Sequence, residues 1–224
     1  MPDEEELAEL YASYYADENI ASDDTGMVSS KVSLGEHAGY LGHHVLGKGG
    51  RVLDFGAGLG TLVKRLTDMG FEAEGVEFFE KAREEVRLRY GFDFHADIGQ
   101  LEKGGYDAVA MVEAIEHLRS PWLTLKVLGG LLVPGGTIYI TTPNRDGLQA
   151  RLFGTNWSEA VKPIHLVLFN FASLSHLLRE CGFTDIRMVR FSPLTTTSWP
   201  RRLLHRLLQA LSLYGGLRVV ARWR

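Results

Sequence analysis

A glycine-rich segment, Val52–Gly60, is the strongest chemical signal in the sequence. An apolar run leads into glycines at alternate positions, Gly56, Gly58 and Gly60, and glycine lets backbone N–H groups approach a ligand closely. The pattern is typical of a strand that ends in a ligand-binding loop and opens a helix. A tight turn without a ligand is the plain alternative. Three glycines at this spacing favour a bound dinucleotide or nucleoside.

The spacing of the glycines and the position of Asp54 favour a nucleoside over a dinucleotide as the ligand. A dinucleotide fingerprint reads G-x-G-x-x-G, whereas Gly60 gives G-x-G-x-G here and Thr61 follows it. Asp54 directly precedes the loop, where its carboxylate would repel a pyrophosphate but attract an ammonium group. We therefore expect a nucleoside with a cationic amino-acid tail rather than NAD.

Two more acids follow candidate strands. Glu77 stands 21 residues after Gly56, where an acid binds ribose hydroxyls, although a surface glutamate at a strand end is the simpler reading. Phe78 follows it and could lie on a purine face. Asp97 could accept from an adenine amino group, with Ile98 covering the ring, or could equally be a helix N-cap.

Composition limits the class of protein. The 224 residues suit one compact domain, and the net charge of -4 gives no global signal for nucleic acid. A single cysteine, Cys181, rules out an intramolecular disulfide and favours a reducing compartment. No apolar run reaches the roughly 18 residues of a membrane span, and the first residues are acidic, unlike a secretory signal. We expect a cytoplasmic protein.

Short apolar runs alternate with helical patterns, which predicts a mostly parallel sheet with helices on both faces. The predicted strands are Arg51–Phe55, Glu72–Val76, Phe92–His95, Tyr106–Met111, Gly136–Thr141, Asp185–Phe191 and Leu217–Ala221. The predicted helices are Thr61–Met69, Glu80–Tyr90, Pro121–Leu128 and Phe171–Cys181. Ser120 and Asn170 are candidate N-caps of the last two helices, and Gly70 and Gly182 are candidate left-handed stops.

The flanks are predicted to select the substrate. Residues 1–46, with helices over 3–16 and 31–46, form a helical lid, and residues 47–224 form the main domain. Tyr11, Tyr14 and Tyr15, or the later Phe153 and Trp157, could line an acceptor pocket or simply pack. A helix over 201–213 has leucines on one face and arginines on the other. It could touch a membrane surface weakly, or cover the edge of the sheet.

The ordered set of motifs resembles class I S-adenosylmethionine-dependent methyltransferases. It comprises Val52–Gly60, Glu77, Asp97-Ile98, Tyr106–Val109 leading to Glu113–Leu118, and Leu132–Gly136. The likeness covers roughly residues 50–190 and is much more specific than a glycine loop alone. Closest in character are bacterial O-methyltransferases of the ubiquinone-biosynthesis type and those that act on sugars and glycans.

The resemblance implies a fold and a set of site residues. The fold is an α/β, Rossmann-like, doubly wound sheet of seven strands, mostly parallel, with an antiparallel last strand and helices on both faces. S-adenosyl-L-methionine would be the cofactor, and S-adenosyl-L-homocysteine its product. The residues that the family pattern assigns to cofactor binding are Asp54, Gly56, Ala57, Gly58, Glu77, Phe78, Asp97, Ile98 and Glu113.

The catalytic group is less sharply defined. A hydroxyl acceptor is helped by a general base, and His165 follows the fifth predicted strand in the segment that covers the acceptor in similar enzymes. Packing of His165 in a loop is the alternative. Glu113, Glu116 and His117 form a Glu-x-x-Glu-His run that, with His165, could hold a metal. Because similar acids occur in metal-free relatives, we predict a site without a metal.

The sequence therefore predicts an O-methyltransferase for a small molecule or sugar-containing metabolite. An N- or C-methyltransferase for a similar acceptor, and a non-catalytic S-adenosylmethionine-binding subunit, are the alternatives. The expected partner is the small-molecule acceptor, with no nucleic acid. The oligomeric state is not predicted.

Overall fold

A computed structural model of the chain describes residues 34–190 except 48 and 100, residues 213–224, and five single positions, 6, 9, 10, 203 and 207. Most of the predicted helix over 3–16, with its tyrosines, and most of the predicted helix over 201–213 lie outside the described residues. Of the predicted lid, residues 6, 9, 10 and 34–46 are described, and the division at residue 46 stays a prediction. No helix within the described ranges is long and apolar enough to cross a membrane.

In the described residues, six strands form one sheet. They are β1 (Arg51–Phe55), β2 (Glu72–Val76), β3 (Tyr106–Val112), β4 (Leu132–Pro143), β5 (Phe183–Met188) and β6 (Gly216–Trp223), in the spatial order β2-β1-β3-β4-β6-β5. Strands β1 to β4 pair in parallel, and β6 lies antiparallel between β4 and β5. The carboxyl ends of β1 to β4 therefore meet at one edge, where open sheets bind ligands.

Helices cover both faces. They are α1 (Leu34–Leu41), continued by a π-helical turn (Gly42–Leu46), α2 (Thr61–Asp68), α3 (Glu80–Tyr90), α4 (Pro121–Leu131), α5 (Leu148–Phe153) and α6 (Phe171–Glu180). Asn170 caps α6, since its side chain accepts from Ser173 N at 2.8 Å. Ser120 occupies the N-cap of α4 without a side-chain capping bond. Gly70 and Gly182 have φ values of 88° and 100°, as the predicted left-handed stops require.

The core divides between the two faces of the sheet because successive strand residues point to opposite sides. In β1, Val52 packs with α1 and α2 while Leu53 packs with α4 and α6. In β4, Tyr139 faces α1 while Ile138 and Ile140 face the other way. Central strands buried on both faces read as continuous apolar runs, which is why the sequence identifies them readily.

The predicted strand over Phe92–His95 is wrong, so the described sheet has six strands rather than seven. Only His95 makes a bridge, to Val76, with backbone hydrogen bonds to the Gly75 carbonyl and from Glu77 N, both at 3.0 Å. The other residues of the segment form no ladder. The Phe94 ring fills the space above Gly75, where an added Cβ would lie 2.7 Å from the ring. Side-chain packing here takes the place of a backbone ladder.

Strands β1 and β2 and helix α3 have the predicted boundaries, whereas some other boundaries differ by a few residues. The described β5 begins at Phe183, two residues before the predicted start, and β4 begins at Leu132 rather than Gly136. Helix α4 runs through Gly129 to Leu131. Gly129 is needed inside this helix because an added Cβ would run into the Trp223 ring, so the glycine permits close packing of α4 on β6.

Candidate active site

The glycine loop is held against the end of β2. Gly56, Gly58 and Gly60 have φ values of 77°, 52° and 74°, a region that glycine adopts without strain. The Gly56 and Ala57 N–H groups both donate to the Val76 carbonyl, at 2.9 and 3.0 Å. The loop is thus fixed between β1 and α2, as the sequence predicts.

Glu77 is part of the same loop structure. One carboxylate oxygen accepts from Gly58 N and the other from Phe79 N, both at 2.9 Å. The side chain is buried, and burial raises its pKa despite these bonds. Since a carboxylate oxygen can accept more than one hydrogen bond, both oxygens can still bind ligand hydroxyls.

Asp54 is a buried acid at the carboxyl end of β1. Its Oδ1 has no hydrogen-bond partner among the described residues. Burial, and then the charge of Glu77, raise the pKa of Asp54 to about 7. A buried carboxyl group without a counter-charge is costly to ionise, so this position is suited to a ligand cation.

Phe78 and Ile98 offer apolar surface at the carboxyl end of β2. The Phe78 side chain is 54% exposed and meets Phe55 edge to face, with ring centroids 5.4 Å apart. Ile98 is half-buried against the core. The exposed Asp97 accepts from Gly99 N at 2.6 Å. No helix follows Asp97 in the described residues up to Tyr106, so its reading as a helix N-cap is wrong.

Glu113 directly follows β3 and has an unusual backbone conformation. Its φ is 51°, which is uncommon for a residue other than glycine, and its N–H donates to the Thr141 carbonyl at 3.0 Å. A short 3₁₀ helix, Ile115–His117, begins two residues later. Glu113 and Glu116 therefore do not lie on one continuous helical turn.

Glu116 connects three parts of the site. Its backbone carbonyl accepts from Leu166 N and Val167 N, at 2.8 and 3.1 Å. Its side chain is fully buried and accepts from the Thr142 hydroxyl at 2.9 Å. Burial, followed by the charge of Glu113, raises the pKa of Glu116 well above its usual value. The sequence proposed Glu116 as a possible ligand, but did not indicate its bonds to Thr142 and to the 164–167 segment.

The rings of His117 and His165 contact each other close to Glu116, with ring centroids 4.9 Å apart. Nδ1 of His117 lies 2.9 Å from the Ile164 carbonyl, and Nδ1 of His165 lies 3.0 Å from the Glu159 carbonyl. Burial is the main cause that lowers both pKa values, and that of His165 falls to about 4. Both rings are therefore neutral at neutral pH.

The site thus has two parts along one edge of the sheet. The glycine loop, Asp54 and Glu77 lie at β1 and β2, whereas Glu116, His117 and His165 lie beyond β3 and β4. Trp157, a predicted pocket residue, is buried, while Phe153 is exposed. Glu159 and Thr142 were missed because nothing in their local sequence marks them. This sheet order with an antiparallel strand between β4 and β5, and acids at the strand ends, defines a class I methyltransferase.

Comparison with known proteins agrees with the assignment to the class I methyltransferases. Residues 38–187 match a family model described as "Methyltransferase domain", and the chain therefore belongs to the class I, S-adenosylmethionine-dependent methyltransferase family. It is 27% identical to the ubiquinone biosynthesis O-methyltransferase of Acinetobacter baylyi, over 74% of this chain and 75% of that protein.

Two solved structures illustrate the shared fold. One is a methyltransferase in complex with the Trm112 methyltransferase activator of Haloferax volcanii, with a TM-score of 0.70 and 18% identity over 100% of this chain and 99% of that chain. The other is phosphoethanolamine N-methyltransferase 2 of Haemonchus contortus, with phosphomonomethylethanolamine and S-adenosylhomocysteine. Its TM-score is 0.72 with 17% identity, over 99% of this chain and 60% of that chain.

Proposed function

We propose that the chain transfers a methyl group from S-adenosyl-L-methionine to a hydroxyl of a small molecule or sugar-containing metabolite. The observation that carries this proposal is Asp54, whose buried carboxyl group has an unpartnered oxygen in the described part of the chain. It stands beside a glycine loop and a second buried acid, Glu77. An ammonium group and a ribose diol would satisfy this arrangement together.

Each part of the cofactor then has a partner. Asp54 and the loop residues Gly56, Ala57 and Gly58 bind the methionine portion, and Glu77 binds the ribose. The adenine lies between Phe78 and Ile98, with Asp97 accepting from its amino group. Glu113 lies below the sulfonium end. The exposure of Phe78 supports the adenine assignment, because a ligand would cover an otherwise solvated ring.

Methyl transfer is an in-line displacement, so the protein mainly aligns donor and acceptor. The bound cofactor supplies an activated methyl group. We assign His165 as the residue that faces the acceptor hydroxyl and accepts its proton. Nδ1 of His165 is directed at the Glu159 carbonyl, which leaves Nε2 as the basic nitrogen. The name of the Acinetobacter relative supports an oxygen acceptor.

Two other functions have some support. The Haemonchus neighbour is an N-methyltransferase, and nitrogen acceptors need no base, so His165 would then be dispensable. The Haloferax neighbour occurs in a complex with an activator, which is in line with a cofactor-binding subunit. Turnover of a hydroxyl acceptor by the isolated chain would argue against both.

The first experiment measures cofactor binding. Calorimetric titration of ligand-free protein with S-adenosylmethionine, S-adenosylhomocysteine and NAD should give binding of the two adenosyl-sulfur compounds and none of NAD. Gly58→Val should abolish that binding, because a β-branched residue is strained at φ 52°. NAD binding, or unchanged binding by the variant, would refute the cofactor assignment.

The second experiment tests the role of His165 in methylation of a hydroxyl acceptor. With a panel of hydroxyl acceptors, His165→Ala should lower turnover by about a hundredfold at unchanged cofactor affinity. His44→Ala is the matched control, since His44 is exposed and lies outside the site. Full activity of His165→Ala would leave His165 a packing residue.

We also propose a cellular location and binding partners. The single cysteine supports the cytoplasm as its location. We propose a small-molecule acceptor as the partner and no nucleic acid, because the net charge of the chain is -4. The arginine-rich segment 201–213 could add a weak contact with a membrane surface.

A further inference from the structure

Three potential metal-ligating side chains converge beyond β3 and β4. Glu116, His117 and His165 each offer one ligand atom, and these atoms lie within 4.8 Å of one another. In the described part of the chain this is the one such group of three or more acidic, histidine or cysteine residues. The ligands come from two segments far apart in sequence, joined by hydrogen bonds to the Glu116 backbone carbonyl.

The Glu116 carboxyl group requires a partner that the described protein does not provide. It is fully buried, and Thr142 donates to Oε2 while Oε1 has no hydrogen-bond partner among the residues described. The charges of Glu113 and Glu159 act on it unfavourably. The nearby Lys162 is already paired with Glu159, at 2.6 Å. An unpartnered buried carboxylate is strongly unfavourable, and a cation bound at Oε1 would offset that cost.

Backbone carbonyls position both imidazoles. A carbonyl oxygen accepts but cannot donate, so the contact of Nδ1 with the Glu159 carbonyl places the His165 proton on Nδ1 and leaves the lone pair on Nε2. His117 contacts the Ile164 carbonyl through Nδ1, at 2.9 Å, and the Glu113 backbone as well. Backbone carbonyls that fix the histidine tautomer in this way are the common outer shell of protein metal sites.

We propose that Glu116, His117 and His165 bind one divalent transition-metal ion. Two imidazoles and a carboxylate suit Zn²⁺, Co²⁺ or Mn²⁺ better than Mg²⁺ or Ca²⁺, which prefer oxygen ligands. Three protein ligands leave at least one position open for water or another oxygen ligand. This proposal replaces the metal-free site predicted from the sequence.

The position of the ion suggests a role, which rests on the proposed function. An acceptor hydroxyl in the open position would lose its proton to solvent water more easily, because a bound cation stabilises the oxyanion. His165 would then hold the ion through Nε2 and could not also accept the proton. The two roles of His165 are therefore alternatives, and metal binding distinguishes them without any measurement of turnover.

Titration of metal-free protein with Co²⁺ tests the site directly. Cobalt bound by nitrogen and oxygen ligands has visible absorption, so the spectrum reports the ligands as well as the stoichiometry. Double substitution of the exposed His43 and His44 by alanine provides the background, because adjacent surface histidines could bind cobalt on their own. We expect one equivalent of Co²⁺ to bind in this background.

Two variants then identify the ligands. Glu116→Gln keeps the shape and an oxygen that can accept from Thr142, but it removes the charge. His165→Ala removes one imidazole. Each should weaken Co²⁺ binding by at least about a hundredfold, because even outer-shell partners contribute 10- to 100-fold. The absorption of any remaining complex should change.

The outcomes separate this proposal from the proposed function. S-adenosylmethionine titration of the same samples should be unaffected in Glu116→Gln, since the glycine loop lies at the other part of the site. Absence of Co²⁺ binding, or binding that survives both Glu116→Gln and His165→Ala, would overturn the metal site. Such a result would leave the cofactor assignment intact. Loss of S-adenosylmethionine binding in the parent protein would overturn the proposed function alone.

Discussion

The dependence of cofactor affinity on pH tests the assignment of Asp54 most directly. Burial and the nearby charge of Glu77 raise the pKa of Asp54 to about 7. In the proposed assignment the cofactor ammonium pairs with the carboxylate form, so a proton must leave before the pair can form. Lowering the pH from about 7 to about 5.5 should therefore weaken binding by about fifteenfold. The α-amino group of the cofactor stays largely protonated over this range.

Asp54→Asn is the matched variant, because it keeps the size of the side chain and removes its titration. Its affinity at pH 7 should be lower by about thirtyfold or more, as for a buried charge pair that loses one partner. Its dependence on pH over the same range should be much shallower than that of the parent, with any remainder due to Glu77. Isothermal titration calorimetry at several pH values measures both quantities.

The stability of the ligand-free protein gives an independent check. An acid whose pKa is raised on folding stabilises the protein at low pH, and that stabilisation is lost as the pH rises towards the raised pKa. The ligand-free parent should thus lose thermal stability between about pH 4 and pH 7, and Asp54→Asn should lose less. An affinity that does not vary with pH in the parent, or an equal slope in the variant, would refute the reasoning.

Three further substitutions test the cofactor surface and the packing. Phe78→Ala should weaken S-adenosylmethionine binding by about tenfold yet change unfolding by less than about 1 kcal/mol, and an unchanged affinity in calorimetry would exclude adenine stacking. Asn170→Ala should cost about 1 kcal/mol in urea unfolding by removing the bond from Ser173 N; no loss would mean that the cap is not stabilising. Gly129→Ala should cost about 1–3 kcal/mol, because the new methyl group meets the Trp223 ring, and a variant of equal stability would show that Trp223 can move.

The positions of the residues around the glycine loop were largely predictable from sequence. Asp54, the glycines and Glu77 lie within local strand–loop–helix units, so spacing alone indicates which of them share the carboxyl edge of the sheet. The other part of the site depends on contacts between distant segments. Glu116 and the segment around His165 are joined by backbone hydrogen bonds across some 50 residues, and no local pattern reveals such bonds.

The errors of the fold prediction have a similar cause. Apolar and polar residues alternate in Phe92–His95 as they do in a strand. In the structure, however, the Phe94 ring packs against Gly75 of β2. Tertiary packing here overrides local propensity. The start of β4 differs because Leu132 pairs with Tyr106 of β3, and the start of β5 differs because Phe183 pairs with Trp223 of β6. A strand's partner cannot be identified from its own residues.

The bonds that hold the glycine loop have a consequence for binding thermodynamics. Three consecutive N–H groups, those of Gly56, Ala57 and Gly58, are fixed by the Val76 carbonyl and the Glu77 carboxylate. The conformational entropy that a mobile loop would lose on binding is lost here when the domain folds. Association should therefore involve little ordering of this loop, so that its rate is set by diffusion and orientation. Any gain in thermal stability on saturation should then follow from mass action on a preorganised site.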